Sequence, residues 1–185
     1  MNWIALICLG ASDGARVENL LDSAIRLLAL PQARALRGCS ELFGDRHRPH
    51  RGGATVNLML ALEVEAGLTI EALEREFKRI EAAFGRQRDP RRAMPVPLDI
   101  DLLGRIGDGV QWQPRYDPGR AYLYHGLQQL PLPVLQRELD RVAAQRGFAP
   151  EQNASGFYGL ASAAFVERYL AASATRRSMQ TEMQR

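Results

Sequence analysis

The chain has 185 residues and a mass of 20.6 kDa, with 46% apolar and 24% charged residues. Those values fit one globular unit with a sizeable core and exclude wholesale disorder, a collagen-like repeat and a coiled coil. Net charge is +3 and Lys78 is the only lysine among 24 basic residues, so the cations are nearly all arginine, suited to phosphate, yet the excess is too mild to argue for nucleic acid.

Trp3–Leu9 is a continuous apolar run closed by Gly10, which predicts a buried central strand. The run is too short to cross a membrane and lacks a basic leader, so no membrane span and no signal peptide are expected. Cys8 and Cys39 have no CxxC spacing and predict reduced, buried thiols in a cytoplasmic protein. Ser12 and Asp13 offer N-caps to a helix whose Val17, Leu20, Leu21, Ala24, Ile25 and Leu28 recur at helical spacing before Pro31. Residues 33–43 are a weaker strand, and the polar stretch 44–53 reads as a loop.

Val56, Leu58, Leu60, Leu62 and Val64 alternate with Thr55, Asn57, Met59, Ala61 and Glu63, the clearest strand of the chain. Gly67 turns the chain, Thr69 caps a second helix with Leu73, Phe77, Ile80 and Phe84 on one face, and Gly85 ends it. Residues 86–97 form an Arg- and Pro-rich loop, followed by a short strand, Leu98–Gly104. Residues 105–133 read as loop-rich with room for a hairpin, 134–146 and 157–175 as helices, and 176–185 as a frayed tail. The order strand, helix, strand, strand, helix, strand predicts an α+β, ferredoxin-like βαββαβ sandwich with an antiparallel sheet. Its expected domain spans 1–133, with a C-terminal helical extension over 134–185 packed on or beside it.

Asp99 and Asp101 are the sharpest chemical signal. On a strand they share a face while Leu98, Ile100 and Leu102 take the other. Two adjacent carboxylates need a cation, either a metal or an arginine. Arg86, Arg88, Arg91 and Arg92 precede the pair, and Arg115 and Arg120 follow it, as a polyphosphate ligand would require. The alternative at this level is an arginine-paired strand edge in an exposed loop region. Asn57 offers an amide suited to a heterocycle edge, or to a neighbouring loop. His47 and His50 lack the further ligands of a zinc site, and His125 has no nucleophile beside it. Phe157, Tyr158, Phe165 and Tyr169 read as helix packing.

Gly10, Thr55-Val-Asn-Leu58, Arg79-Ile-Glu-Ala-Ala-Phe-Gly-Arg-Gln-Arg88, Leu98-Asp-Ile-Asp-Leu-Leu103 and Pro114-Arg-Tyr-Asp117 with Arg120 together resemble the 6-hydroxymethyl-7,8-dihydropterin pyrophosphokinase family. The likeness runs over about residues 3–125. It implies transfer of pyrophosphate from ATP to the pterin hydroxymethyl group, releasing AMP, with two Mg²⁺ ions held by Asp99 and Asp101. It further implies that Lys78, Glu81, Arg86, Arg88, Arg115, Tyr116 and Arg120 face ATP. Gly10, Gly44, Asn57, Asp99 and Tyr122 would meet the pterin, and Arg86 and Arg92 would assist the chemistry. The loops 44–54 and 86–96 would be mobile lids. ATP and the pterin are thus the expected partners, with the oligomeric state open.

Four positions depart from the family pattern. Val96 stands where the family has an arginine, Ala93 where it has a tryptophan, Arg115 where it has a histidine, and Thr55 where it has an aromatic. They keep a second reading in play, a relative that binds nucleotide or pterin without turnover. A third is an arginine-rich, ferredoxin-like module for RNA or protein, against which the absence of aromatics on the Thr55, Asn57, Met59 face counts.

Overall fold

The first apolar run becomes the spine of the molecule. In a computed structural model, which describes residues 1–50, 53–146 and 156–183, the elements run β1 (Trp3–Ala11), α1 (Arg16–Leu28), β2 (Ala33–Cys39), β3 (Leu42–His50), β4 (Gly53–Val64), α2 (Ile70–Ala83) and β5 (Asp99–Ile106). There follow β6 (Val110–Trp112), α3 (Ala121–Leu127), α4 (Pro133–Arg146), β7 (Phe157–Ala161) and α5 (Ala163–Met183). The strands form one antiparallel sheet in the order β6-β5-β1-β4-β3-β7, with β2 also paired to β4. The inner order β5-β1-β4-β3, with α1 and α2 packed on one face, is the ferredoxin-like sandwich.

Alternation along β1 divides the core in two. Trp3, Ala5, Ile7 and Leu9 face one way and meet the leucine stripe of β4, with α1, α2 and Val166 and Leu170 of α5. Leu6 and Cys8 face the other way, with Met59 and Ala61, under Leu123 and Leu127 of α3 and Leu135 and Leu139 of α4. The sheet is therefore covered on both faces, and the second cover comes from segments after residue 120. No described helix is long and apolar enough to cross a membrane. Both cysteines are buried and neither is in a disulfide.

Several expectations are corrected. Residues 44–50, read as loop, continue β3, and 53 begins β4, because backbone pairing such as Pro49 with Ala54 satisfies a polar hairpin that has no apolar stripe to announce it. The stretch 33–43 is two strands, both paired to β4. Residues 157–161 are a strand added to the edge of β3, so Phe157 and Tyr158 belong to β7, not to a helix. Residues 121–127, read as loop, are α3, and the helix after β7 reaches Met183 where a tail was expected. Ser12 and Asp13 do not cap α1, whose N-cap is Ala15 without a side-chain bond. Their backbone N–H groups donate instead to Val96 O (2.9 and 3.2 Å), and Val96 N donates to Asp13 Oδ2 (2.7 Å). Thr69 does cap α2, its Oγ1 accepting from Ala72 N at 3.2 Å, and Gly85 takes the left-handed φ of +84° that closes the helix. Residues 51–52 of the first predicted lid lie outside the described residues, and so do the side chains of His47 and His50, on which the reading against a zinc site falls.

Candidate active site

Strand register assembles the site. Gly10 on β1 stands opposite Asn57 on β4 and opposite Asp99 on β5. Two residues earlier Cys8 stands opposite Met59 and Asp101. Residues in one cross-strand row share a face, so Asn57, Asp99 and Asp101 emerge together beside α3. They line one cleft with Cys8, Gly10, Ala11, Ser12, Thr55, Arg86, Val96 and Tyr122.

Burial and the Asp99 charge push the Asp101 carboxyl above the ordinary range, against the pull of Arg115 and Lys78. Arg115 Nε lies 3.4 Å from Asp101 Oδ1, and Arg88 Nη2 lies 3.4 Å from Asp99 Oδ1. Both contacts are long and half-exposed, so the protein only partly neutralises the pair. Among the described residues no cluster of three or more His, Cys, Asp or Glu could hold a metal by itself. Two under-compensated carboxylates with open positions fit a hard divalent cation that takes its remaining ligands from water and phosphate.

Behind the pair lies Glu81 of α2, a carboxylate with 0% exposure. Its Oε1 accepts from Ile100 N (2.9 Å) and its Oε2 from Arg88 Nη2 (2.8 Å), while Lys78 Nζ reaches both oxygens at 3.1 Å. Burial raises its pKa, but the Ile100 N–H, Arg88 and Lys78 outweigh burial and hold it below the usual value. Glu81 thus ties α2 to β5 and aims Arg88, whose own pKa is raised chiefly by its bond to Glu81.

On the other side Asn57 is 2% exposed, and its Nδ2 has no hydrogen-bond partner among the described residues. A buried amide N–H without a partner is uncommon and points to a ligand acceptor. Tyr122 of α3 borders the same space, and Arg120 Nη1 donates to its hydroxyl at 3.5 Å. A β-carbon at Gly10 would meet Asn57 Oδ1 at an ordinary 3.5 Å but would project into the cleft that Gly10 lines.

Of the residues singled out from the sequence, Gly10, Asn57, Arg86, Asp99, Asp101 and Tyr122 line the cleft. Lys78, Glu81, Arg88, Arg115 and Arg120 join it through the contacts above. Tyr116 stacks on Trp112, centroids 3.7 Å apart. Gly44 does not line the cleft; a β-carbon there would lie 2.1 Å from the Tyr158 ring of β7. Arg92 pairs with Asp89 at 3.2 Å and does not line it either. Cys8, Ala11 and Ser12 line the cleft and were not singled out. Cys8 shares the Gly10 face of β1 by period two, a signal that could have found it.

The family model for 7,8-dihydro-6-hydroxymethylpterin-pyrophosphokinase matches residues 6–138. No curated protein matches the chain.

Proposed function

The chain belongs to the 7,8-dihydro-6-hydroxymethylpterin-pyrophosphokinase family, and from that premise we propose that it transfers pyrophosphate from ATP to 6-hydroxymethyl-7,8-dihydropterin in folate biosynthesis, with Mg²⁺. One observation carries the reading for this chain. The Asp99–Asp101 pair opens into the same cleft as a buried Asn57 amide with an unpartnered N–H. A cation-hungry carboxylate pair beside a heterocycle-sized contact set suits a reaction between a triphosphate and a flat ring.

Asp99 and Asp101 would hold Mg²⁺, which supplies charge neutralisation on the triphosphate oxygens. Arg88, aimed by Glu81, and Arg86, Arg115 and Arg120 around the cleft would bind and orient the triphosphate by charge-assisted bonds. Tyr116 would contribute to ATP binding. Asn57 would donate to the pterin carbonyl, and Tyr122 would cover one ring face. The hydroxymethyl oxygen would attack the β-phosphorus and give up its proton to water, the bond to the bridging α–β oxygen would break, and AMP would leave with that oxygen. Positioning supplies most of the rate. The segment 86–96 would close over both substrates.

A product assay tests this. Mg-ATP and the pterin should give AMP and pterin diphosphate, resolved by chromatography. No pterin-dependent AMP from a sample that binds both ligands would instead support binding without turnover. That second reading draws on Val96 at the cleft and on Arg92, paired to Asp89 outside it.

A further inference from the structure

Strand β7 lies beyond residue 138, where the family match ends. It pairs with β3 over Leu42–Asp45, and β3 pairs with β4 over Phe43–Asp45. Two rows therefore run from β7 to the cleft, Phe157–Asp45–Thr55 and Gly159–Phe43–Asn57. The same strand also reaches the opposite wall. The Phe157 ring stacks on His125 of α3, centroids 4.5 Å apart and 25° between planes. Both rings meet Phe43 edge-on, at 5.9 and 4.6 Å. His125 sits one helical turn from Tyr122, and its Nε2 lies 2.9 Å from Oε1 of Glu41, the residue before β3. The α3 backbone is close as well, since a β-carbon at Gly126 would meet Phe43 Cε1 at 3.3 Å.

Phe157 thus touches the partner of Asn57 in the sheet and the helix that carries Tyr122. We infer that Phe157 is a positioning residue that sets the gap between Asn57 and Tyr122, which makes the C-terminal strand part of the frame of the heterocycle site. The inference rests on the reading of that cleft given above. Affinity for a flat ligand depends on first contacts held to within about half an ångström by a second layer. The side chains proposed for ATP follow α2 or precede α3 and make none of these ring contacts. The effect of Phe157 should therefore fall on one substrate.

The test is a pair of titrations of the full chain, one with ATP alone and one with 6-hydroxymethyl-7,8-dihydropterin beside a non-hydrolysable ATP analogue. Phe157→Leu keeps an apolar side chain and removes the ring. It should weaken pterin binding about five- to tenfold, the size expected for a lost aromatic pair, and leave ATP affinity within about twofold. Phe157→Tyr should restore it, and in turnover the pterin KM should rise while kcat holds. Unchanged pterin affinity in Phe157→Leu overturns the inference, as does equal loss of both ligands. An intact chain that binds ATP but no pterin sinks the reading of the cleft and the inference with it.

Discussion

Asp101 is a charge the fold tolerates poorly. Burial and Asp99 raise its pKa above that of an unfolded aspartate. For such a group, stability falls as pH rises from the unfolded toward the folded value, and above both the ionised form is a standing cost. Asp101→Asn should therefore melt at a higher temperature than the parent in EDTA at neutral pH. It should also lose at least about 100-fold in pterin-dependent AMP formation. A lower melting point in EDTA would refute the first half. Glu81 is the opposite case, its pKa held down by three donors that outweigh burial. It stabilises the fold above the ordinary carboxylate range, and that stability is lost as pH falls through its lowered folded value. Glu81→Gln should cost about 1–3 kcal/mol at neutral pH and flatten the acid limb of a pH–stability profile. The aspartate pair is legible in the sequence because period two puts both on one face. Glu81 is not, from residues alone, since an acidic residue on an amphipathic helix looks solvated until α2 packs on β5 and buries it.

At the scale of elements, close approach decides which strands stay together. Gly44 lets the Tyr158 ring lie flat against β3, with Arg46 stacked over that ring at 4.6 Å. Gly44→Ala would put a β-carbon 2.1 Å from Tyr158 Cζ, so the Tyr158 ring must leave its place against β3 and loosen β7. The expected loss is about 1–3 kcal/mol, with faster proteolysis of the segment after residue 146 than in the parent. An unchanged cleavage rate would show that the Tyr158 ring swings aside without loosening β7. Strand β4 is legible because its leucines alternate over a length that only a strand explains. β7 is not, because Phe157–Ala161 has no alternation of its own and becomes a strand only through the unpaired edge of β3. The same holds for α3, seven residues whose apolar side chains are buried only once they pack over the sheet with Phe43 and Met59.

Across the whole molecule, the sheet has two cores. The α1–α2 side is readable from helical spacing, and α5 joins it through Val166 and Leu170, neither more than 1% exposed. Leu170→Ala should cost about 2–5 kcal/mol and lower the midpoint of one cooperative transition, followed by both far-ultraviolet circular dichroism and tryptophan fluorescence. Two separated transitions would mean that α5 melts on its own. Of the second core, α4 is legible over 134–146, whereas α3 is hidden because it is only seven residues long and follows a segment rich in turn residues.

The row Gly159–Phe43–Asn57–Gly10–Asp99 crosses the sheet on one line and draws on five separate stretches of chain. Its members are joined in space in an order unrelated to the order in which they are synthesised. Loop closure over such separations is slow, and β1 must wait for β4 and β5 on either side. A ribosome-bound chain that has emerged as far as residue 138 already holds both aspartates and Asn57 but lacks the outermost strand. A rise in pterin affinity during synthesis would thus time the arrival of β7, making the ligand a clock for a late step of folding.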